Sequence, residues 1–145
     1  MIGLLQRVNR ASVEVDTRVI AEIHTGLLVL IGVQKEDNQA RANRLLERLL
    51  SYRVFPDTAG KMNLSLTDIN GGLLLVPQFT LPADTKKGTR PSFSSAAPPE
   101  QGKSLFDYLL NQARAAYPHV QSGIFGADMK VHLTNDGPVT FWLQS

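Results

Sequence analysis

The sequence predicts one α+β domain, built on mainly antiparallel β-sheets, layered or barrel-like, with two main helices packed on them. Three observations lead there. Short apolar runs bounded by turn residues dominate the chain, as they do in strand-rich proteins. Two segments alone carry apolar residues at helical spacing. The order is strands, helix, strands, helix, strands, which lacks the regular alternation of a doubly wound sheet. A length of 145 residues suits a single domain over 1–145.

The first third reads as strands. Ile2 to Val8 forms one, and Ala11 to Val15 alternates apolar and polar like a half-buried strand. After the turn Asp16–Arg18, Val19 to His24 forms the next, and Leu27 to Val33 has the continuous apolar character of a strand buried on both faces. Asp37 or Asn38 can cap the first helix, because a short side-chain oxygen there accepts from free first-turn amides. Leu45, Leu46, Leu49 and Leu50 form its apolar stripe, and it must stop before Pro56. Asn63 to Leu66 is a short strand candidate, Asp68 to Gly72 a turn, and Leu73 to Leu81 a buried strand. Pro82 to Gly102 has little periodicity and is longer than an ordinary connector, so it is either functional or disordered. The second helix covers Pro99 to Tyr117, with Leu105, Phe106, Leu109, Leu110 and Ala113 as its stripe. Strands then run over Val120 to Phe125, Ala127 to Leu133 and Val139 to Leu143.

Composition narrows the chemistry. Hydrophobic residues make up 43% and charged residues 19%, which fits a folded globular chain. The absence of cysteine excludes disulfides, thiolate metal sites and Cys nucleophiles. A net charge of +2 permits a polyanionic partner without demanding one. Basic residues follow the apolar ones at the N-terminus, the reverse of a signal peptide, and Gly26–Val33 is too short to span a bilayer, which takes ~20 residues. The expectation is a cytoplasmic protein.

Four stretches can carry function. Pro77 interrupts an apolar strand and implies an end, edge or bulge. The amides that follow, at Gln78, Phe79 and Thr80, can then point into a cleft and hold an oxyanion. The alternative is a plain strand end with Phe79 in the core. Thr80 would need a neighbouring base to act as a nucleophile, and none of His24, His119 and His132 sits in a nucleophile motif. Asp128 and His132 share a strand face, but two ligands do not make a metal site, so neither metal nor cofactor is expected. Lys86, Lys87 and Arg90 gather around Gly88 beside Phe93, where cations could meet phosphates and the ring could stack on a base. The alternative is a solvated loop. Finally, "NDGPVT" (Asn135–Thr140) separates two strand runs. It reads either as a hairpin turn with Pro138 opening the next strand, or as a cis Gly137–Pro138 peptide, although only ~5–6% of X–Pro bonds in folded proteins are cis.

"QFTL" at Gln78–Leu81 and "NDGPVT", together with "LLQRVNRASVEV", "KKGTRPSF" and "GIFGADMKV", resemble the D-aminoacyl-tRNA deacylases of the D-tyrosyl-tRNA deacylase type along the whole chain. The resemblance implies a homodimeric hydrolase of the ester joining a D-amino acid, or glycine mischarged on tRNA-Ala, to the terminal adenosine of tRNA. It implies a cis Gly137–Pro138 that enters the partner subunit's site and rejects L-aminoacyl groups by steric clash, so that glycine passes. Arg7 would help hold that motif. Gln78, Phe79 and Thr80 would line the pocket, and the RNA's own 2′-hydroxyl would assist. Substrate binding would fall to Gly137, Pro138, Arg7, Asn135, Lys86, Lys87, Arg90 and Met129. The family usually has Ser where this chain has Pro77, which removes that hydroxyl and N–H. Two other classes stay open on the residues alone: a non-catalytic RNA-binding module using Lys86, Lys87 and Arg90, and a Thr80-dependent small esterase.

Overall fold

The computed structural model describes residues 1–145. Its centre is one long strand, β1 (Ile2–Val15), which pairs on both sides. On one side the first half of β1 lies antiparallel to β3 (Gly26–Gly32) and the second half to β2 (Arg18–Ile23). On the other side β8 (Lys130–Gln144) runs antiparallel along most of its length. Beyond β3 come β6 (Gly72–Pro77) and β7 (Val120–Ser122), both in parallel pairing. Most of the sheet is therefore antiparallel, as expected, but the β3–β6–β7 half is parallel. Each crossover there carries a helix, α1 (Gln39–Ser51) between β3 and β6 and α3 (Pro99–Ala116) between β6 and β7. Parallel neighbours require such crossovers.

The strand alternation divides the core in two. Leu27, Val29, Ile31, Leu73 and Leu75 face α1 and α3, where Leu45, Leu49, Phe106 and Leu109 meet them in the larger cluster. Leu28, Leu74 and Val76 point the other way and meet Val8, Ala11, Val13, Ala21 and Ile23, so the sheet curls over a second, smaller core. Successive residues of β3 and β6 thus bury opposite faces, which is why both runs are continuously apolar.

Several boundaries differ from the sequence expectation. Asn38, not Asp37, caps α1: its side chain accepts from Arg41 N at 3.1 Å. Asp37 is buried and accepts from the α-ammonium of Met1 at 2.5 Å and from Gln34 N at 2.7 Å. The Asn63–Leu66 strand is shorter and shifted, as β5 (Met62–Leu64) paired with β4 (Phe55–Pro56). Ser65 leaves it to start a one-turn helix, α2 (Leu66–Ile69), through a capping box with Asp68. The Leu73–Leu81 run ends at Pro77, where the backbone donor is lost. The last two predicted strands, Ala127–Leu133 and Val139–Leu143, are one strand, so Asn135–Thr140 is no hairpin turn.

Candidate active site

Two features stand out, one on each half of the sheet. The first is a cleft at the carboxyl ends of the parallel strands, of about 580 Å³. It forms because β3 and β6 part there. Gln78 N donates to Ile31 O at 2.8 Å as the last rung, and two turns follow, closed by Leu81 N to Gln78 O and Ala83 N to Thr80 O. Ile31, Val33 and Phe106 supply the apolar interior. Phe79 is 63% exposed, which excludes the core position considered for it, and its ring stacks at a tilt on Phe93, centroids 5.5 Å apart. Both rings line the cleft beside Lys35.

Of the three amides expected to be free, Gln78 N is spent on the sheet. Those of Phe79, which lines the cleft, and of Thr80, next to it in the chain, find no acceptor within the chain. Thr80 Oγ1 accepts from Gln78 Nε2. No imidazole lies at the cleft: His24 and His119 line a separate polar hollow near the other ends of these strands, and His132 Nε2 is 3.7 Å from Glu14. Asp128 pairs with Lys130 at 2.9 Å.

Within the Pro82–Gly102 segment, Phe93 and Ala96 to Pro99 form the cleft's outer wall. Lys35 N donates to Ser95 O at 3.2 Å and Ala97 N to Val33 O at 2.9 Å, which extends β3 onto it. Asp84 and Ser92 exchange backbone hydrogen bonds and close a small lobe whose tip presents Lys86, Lys87 and Arg90, all exposed. Met129 does not line the cleft; it packs on the smaller core, its sulfur 3.4 Å from Ile124 N and against Gly123.

The second feature is a break in the β1–β8 ladder. Gln6 pairs with Thr140 and Val8 with Asn135, so Arg7 alone faces the four residues Asp136 to Val139. The excess chain is thrown out as a bulge with Gly137 and Pro138 exposed at its tip. Their peptide bond is cis, and Gly137 has φ +134°. A Cβ at Gly137 would lie 2.7 Å from Val139 Cγ2 and 3.1 Å from Arg7 Nη2, so only glycine fits. Arg7 secures the base of the bulge: Nε donates to Asp136 O at 3.0 Å and Nη1 to Val54 O at 2.7 Å. Asn135 is turned inward, its Oδ1 accepting from Val139 N and its Nδ2 donating to Thr140 Oγ1, both at 2.8 Å.

Cleft and bulge do not meet within one chain. Neither Gly137 nor Pro138 lines the cleft. Arg7 pairs with Leu27, whereas the cleft opens at Ile31 and Pro77, four residues further along β3. At ~3.3 Å per residue that is roughly 13 Å along the strand, with β1 itself lying between.

Sequence reasoning singled out Phe79, Thr80, Arg7, Gly137 and Pro138, but not Lys35, Val54, Gly102, Phe125 or Thr140. Gly102 carried a signal: a glycine inside a helical stripe has a packing reason. Here a Cβ would come within 3.3 Å of the Phe125 ring at the cleft.

A family model described as D-Tyr-tRNA(Tyr) deacylase matches residues 4–144. A D-aminoacyl-tRNA deacylase of Stutzerimonas stutzeri is 63% identical over 145 residues, all of both chains. One of Pseudomonas putida is 65% identical over 144 residues, 99% of each. A solved structure titled c-Myc DNA Unwinding Element Binding Protein superposes with a TM-score of 0.96 at 40% identity, over 100% of this chain and 99% of that one.

Proposed function

The chain belongs to the D-Tyr-tRNA(Tyr) deacylase family and is a deacylase acting on D-aminoacyl-tRNA, and from that premise we propose how its geometry does the work. The cleft takes the aminoacylated terminal adenosine. Its volume lies in the ~300–1,000 Å³ range of small-molecule sites, and the Phe79–Phe93 pair offers a face for a base. Lys86, Lys87, Arg90 and Lys35 meet the adjoining phosphates. The observation that carries the reading is the pair of unused amides at Phe79 and Thr80, which suit an oxyanion. Water attacks the ester carbonyl, the negative charge gathers on its oxygen beside those amides, and the ribose oxygen leaves with a proton. Free D-amino acid and tRNA result. The neighbouring 2′-hydroxyl of the RNA is the nearest proton carrier, since Thr80 Oγ1 has an amide rather than a base beside it.

The bulge acts as the filter for handedness, supplied by a second copy of the chain. Two findings support this: the bulge tip is exposed, and it lies well away from its own cleft. The exposed Leu133, Phe141 and Trp142 of β8 offer apolar surface for a symmetric partner. Backbone at Gly137–Pro138 would exclude an L side chain whatever its identity, whereas glycine, lacking one, is accepted. The reaction belongs in the cytoplasm, with charged tRNA; no helix is long and apolar enough to cross a membrane.

Incubation with D- and L-tyrosyl-tRNA, following ester loss, tests the reading. It expects rapid loss of the D-ester alone. Salt-sensitive tRNA binding without cleavage would favour an RNA-binding module, and cleavage of small esters dependent on Thr80 would favour an esterase.

A further inference from the structure

Asn135 was expected among the substrate-binding residues. Its geometry points elsewhere. A bulge that sets four residues against one loses the ladder bonds that would hold its return limb. One such orphan is Val139 N, and Asn135 Oδ1 takes it at 2.8 Å. The other end of the same amide donates to Thr140 Oγ1 at 2.8 Å and approaches Gln6 Oε1 at 3.5 Å. One planar side chain therefore ties the outgoing limb to the returning limb and to β1. The Val139 side chain packs against the larger core. Few hydrogen-bonding positions on the amide remain for a ligand.

We infer that Asn135, with Thr140 as its partner, is a positioning residue that fixes where the Gly137–Pro138 tip stands and hence how sharply handedness is judged. This rests on the reading of the tip as the filter and goes one step beyond it. Arg7 cannot do the same, because it grips only the outgoing limb, at Asp136. A tip held on one limb can swing; held on both it cannot yield to an L side chain.

The test compares kcat and KM for D- and L-tyrosyl-tRNA in the wild type, Asn135→Ala, Asn135→Asp and Thr140→Val, with thermal melts as a control on folding. Asn135→Ala should lower the D-over-L ratio of kcat/KM by about tenfold, the size of one lost hydrogen bond. Asn135→Asp keeps an acceptor for Val139 N and lets the Thr140 hydroxyl donate in turn, so it should restore most of the ratio. Thr140→Val should fall between, and it decides the matter if Asn135→Ala does not fold. A uniform rise in KM for both esters with an unchanged ratio would mean that Asn135 binds substrate, and would overturn the inference. So would an Asn135→Asp variant no better than Asn135→Ala. A wild type without preference for the D-ester would instead sink the filter itself, and the inference with it.

Discussion

Arg7 on β1 and Asp136 on β8 meet where the ladder between their strands opens: Arg7 Nε donates to the Asp136 carbonyl at 3.0 Å and lies 3.4 Å from its carboxylate. The same guanidinium reaches Val54 O, in the segment between α1 and β4. One nearly buried cation thus joins three parts of the chain. Hydrogen bonds from charged donors contribute ~1.5–3 kcal/mol each. Arg7→Ala should destabilise the protein by about 2–3 kcal/mol in urea unfolding and reduce discrimination between D- and L-tyrosyl-tRNA. Arg7→Lys should rescue little, since an ammonium lacks the planar fork that spans both carbonyls. Full discrimination in Arg7→Lys would count against this.

Gly102 lets α3 pass close to Phe125 at the cleft. Alanine gains ~0.8–1.0 kcal/mol of helix propensity over glycine, but its Cβ would stand 3.3 Å from the Phe125 ring. These effects nearly offset in stability. The displaced ring narrows the cleft, so Gly102→Ala should leave the melting temperature within a few degrees and raise KM for D-tyrosyl-tRNA with kcat little changed. A KM equal to that of the wild type would mean that this wall does not touch the nucleoside.

Asp37 binds the α-ammonium of Met1 with both groups fully buried, and also holds Gln34 N and Arg41 Nη1. Breaking a buried pair from one side leaves an uncompensated charge, at a cost of ~3–5 kcal/mol. Asp37→Ala should lower stability by about that much. Because Gln34 leads into Lys35 and the extension of β3 that carries the outer wall, activity should fall at temperatures where the variant is still folded. Denaturant titration and activity at 20–25 °C check both parts.

Asp68 and Asp57 favour the folded state less in acid. The Asp68 carboxyl lies below its ordinary 3.8 because Ser65 N, then the Ser65 hydroxyl, donates to it. Asp57 is lowered first by the Asn63 amide and then by Lys61 N. A depressed folded pKa means that the stabilisation is present above the unfolded value of 3.8 and is lost as pH falls through the folded value. The urea midpoint of the wild type should therefore drop between about pH 5 and about pH 2 more steeply than that of Asp68→Asn. Parallel curves would remove Asp68 from the account.

Much of the fold was legible locally. Continuous apolar runs at Leu27–Ile31 and Leu73–Val76 mark strands buried on both faces, and the stripes of α1 and α3 mark the helices that cover one of them. Less legible were pairings, because a strand's alternation does not say which neighbour it meets. The parallel half of the sheet and the continuity of β8 through Asn135–Thr140 both escaped for that reason. Turn chemistry in "NDGP" is satisfied equally by a hairpin or by a bulge, and only the register with β1 distinguishes them.

The sequence alone determined the α+β class of the protein and the places where its backbone must bend, and it pointed to Phe79, Gly137 and Pro138, since proline, glycine and apolar spacing act over a few residues; Arg7 came only from the family resemblance. Tertiary structure decided what those residues face. It put Phe79 on Phe93 at an open cleft, turned Asn135 inward as a tie between two limbs, and set the bulge far along β3 from the cleft it is proposed to guard. These depend on long-range pairing and packing, where residues distant in the chain compete for the same donors and the same buried space, and no local pattern records the outcome.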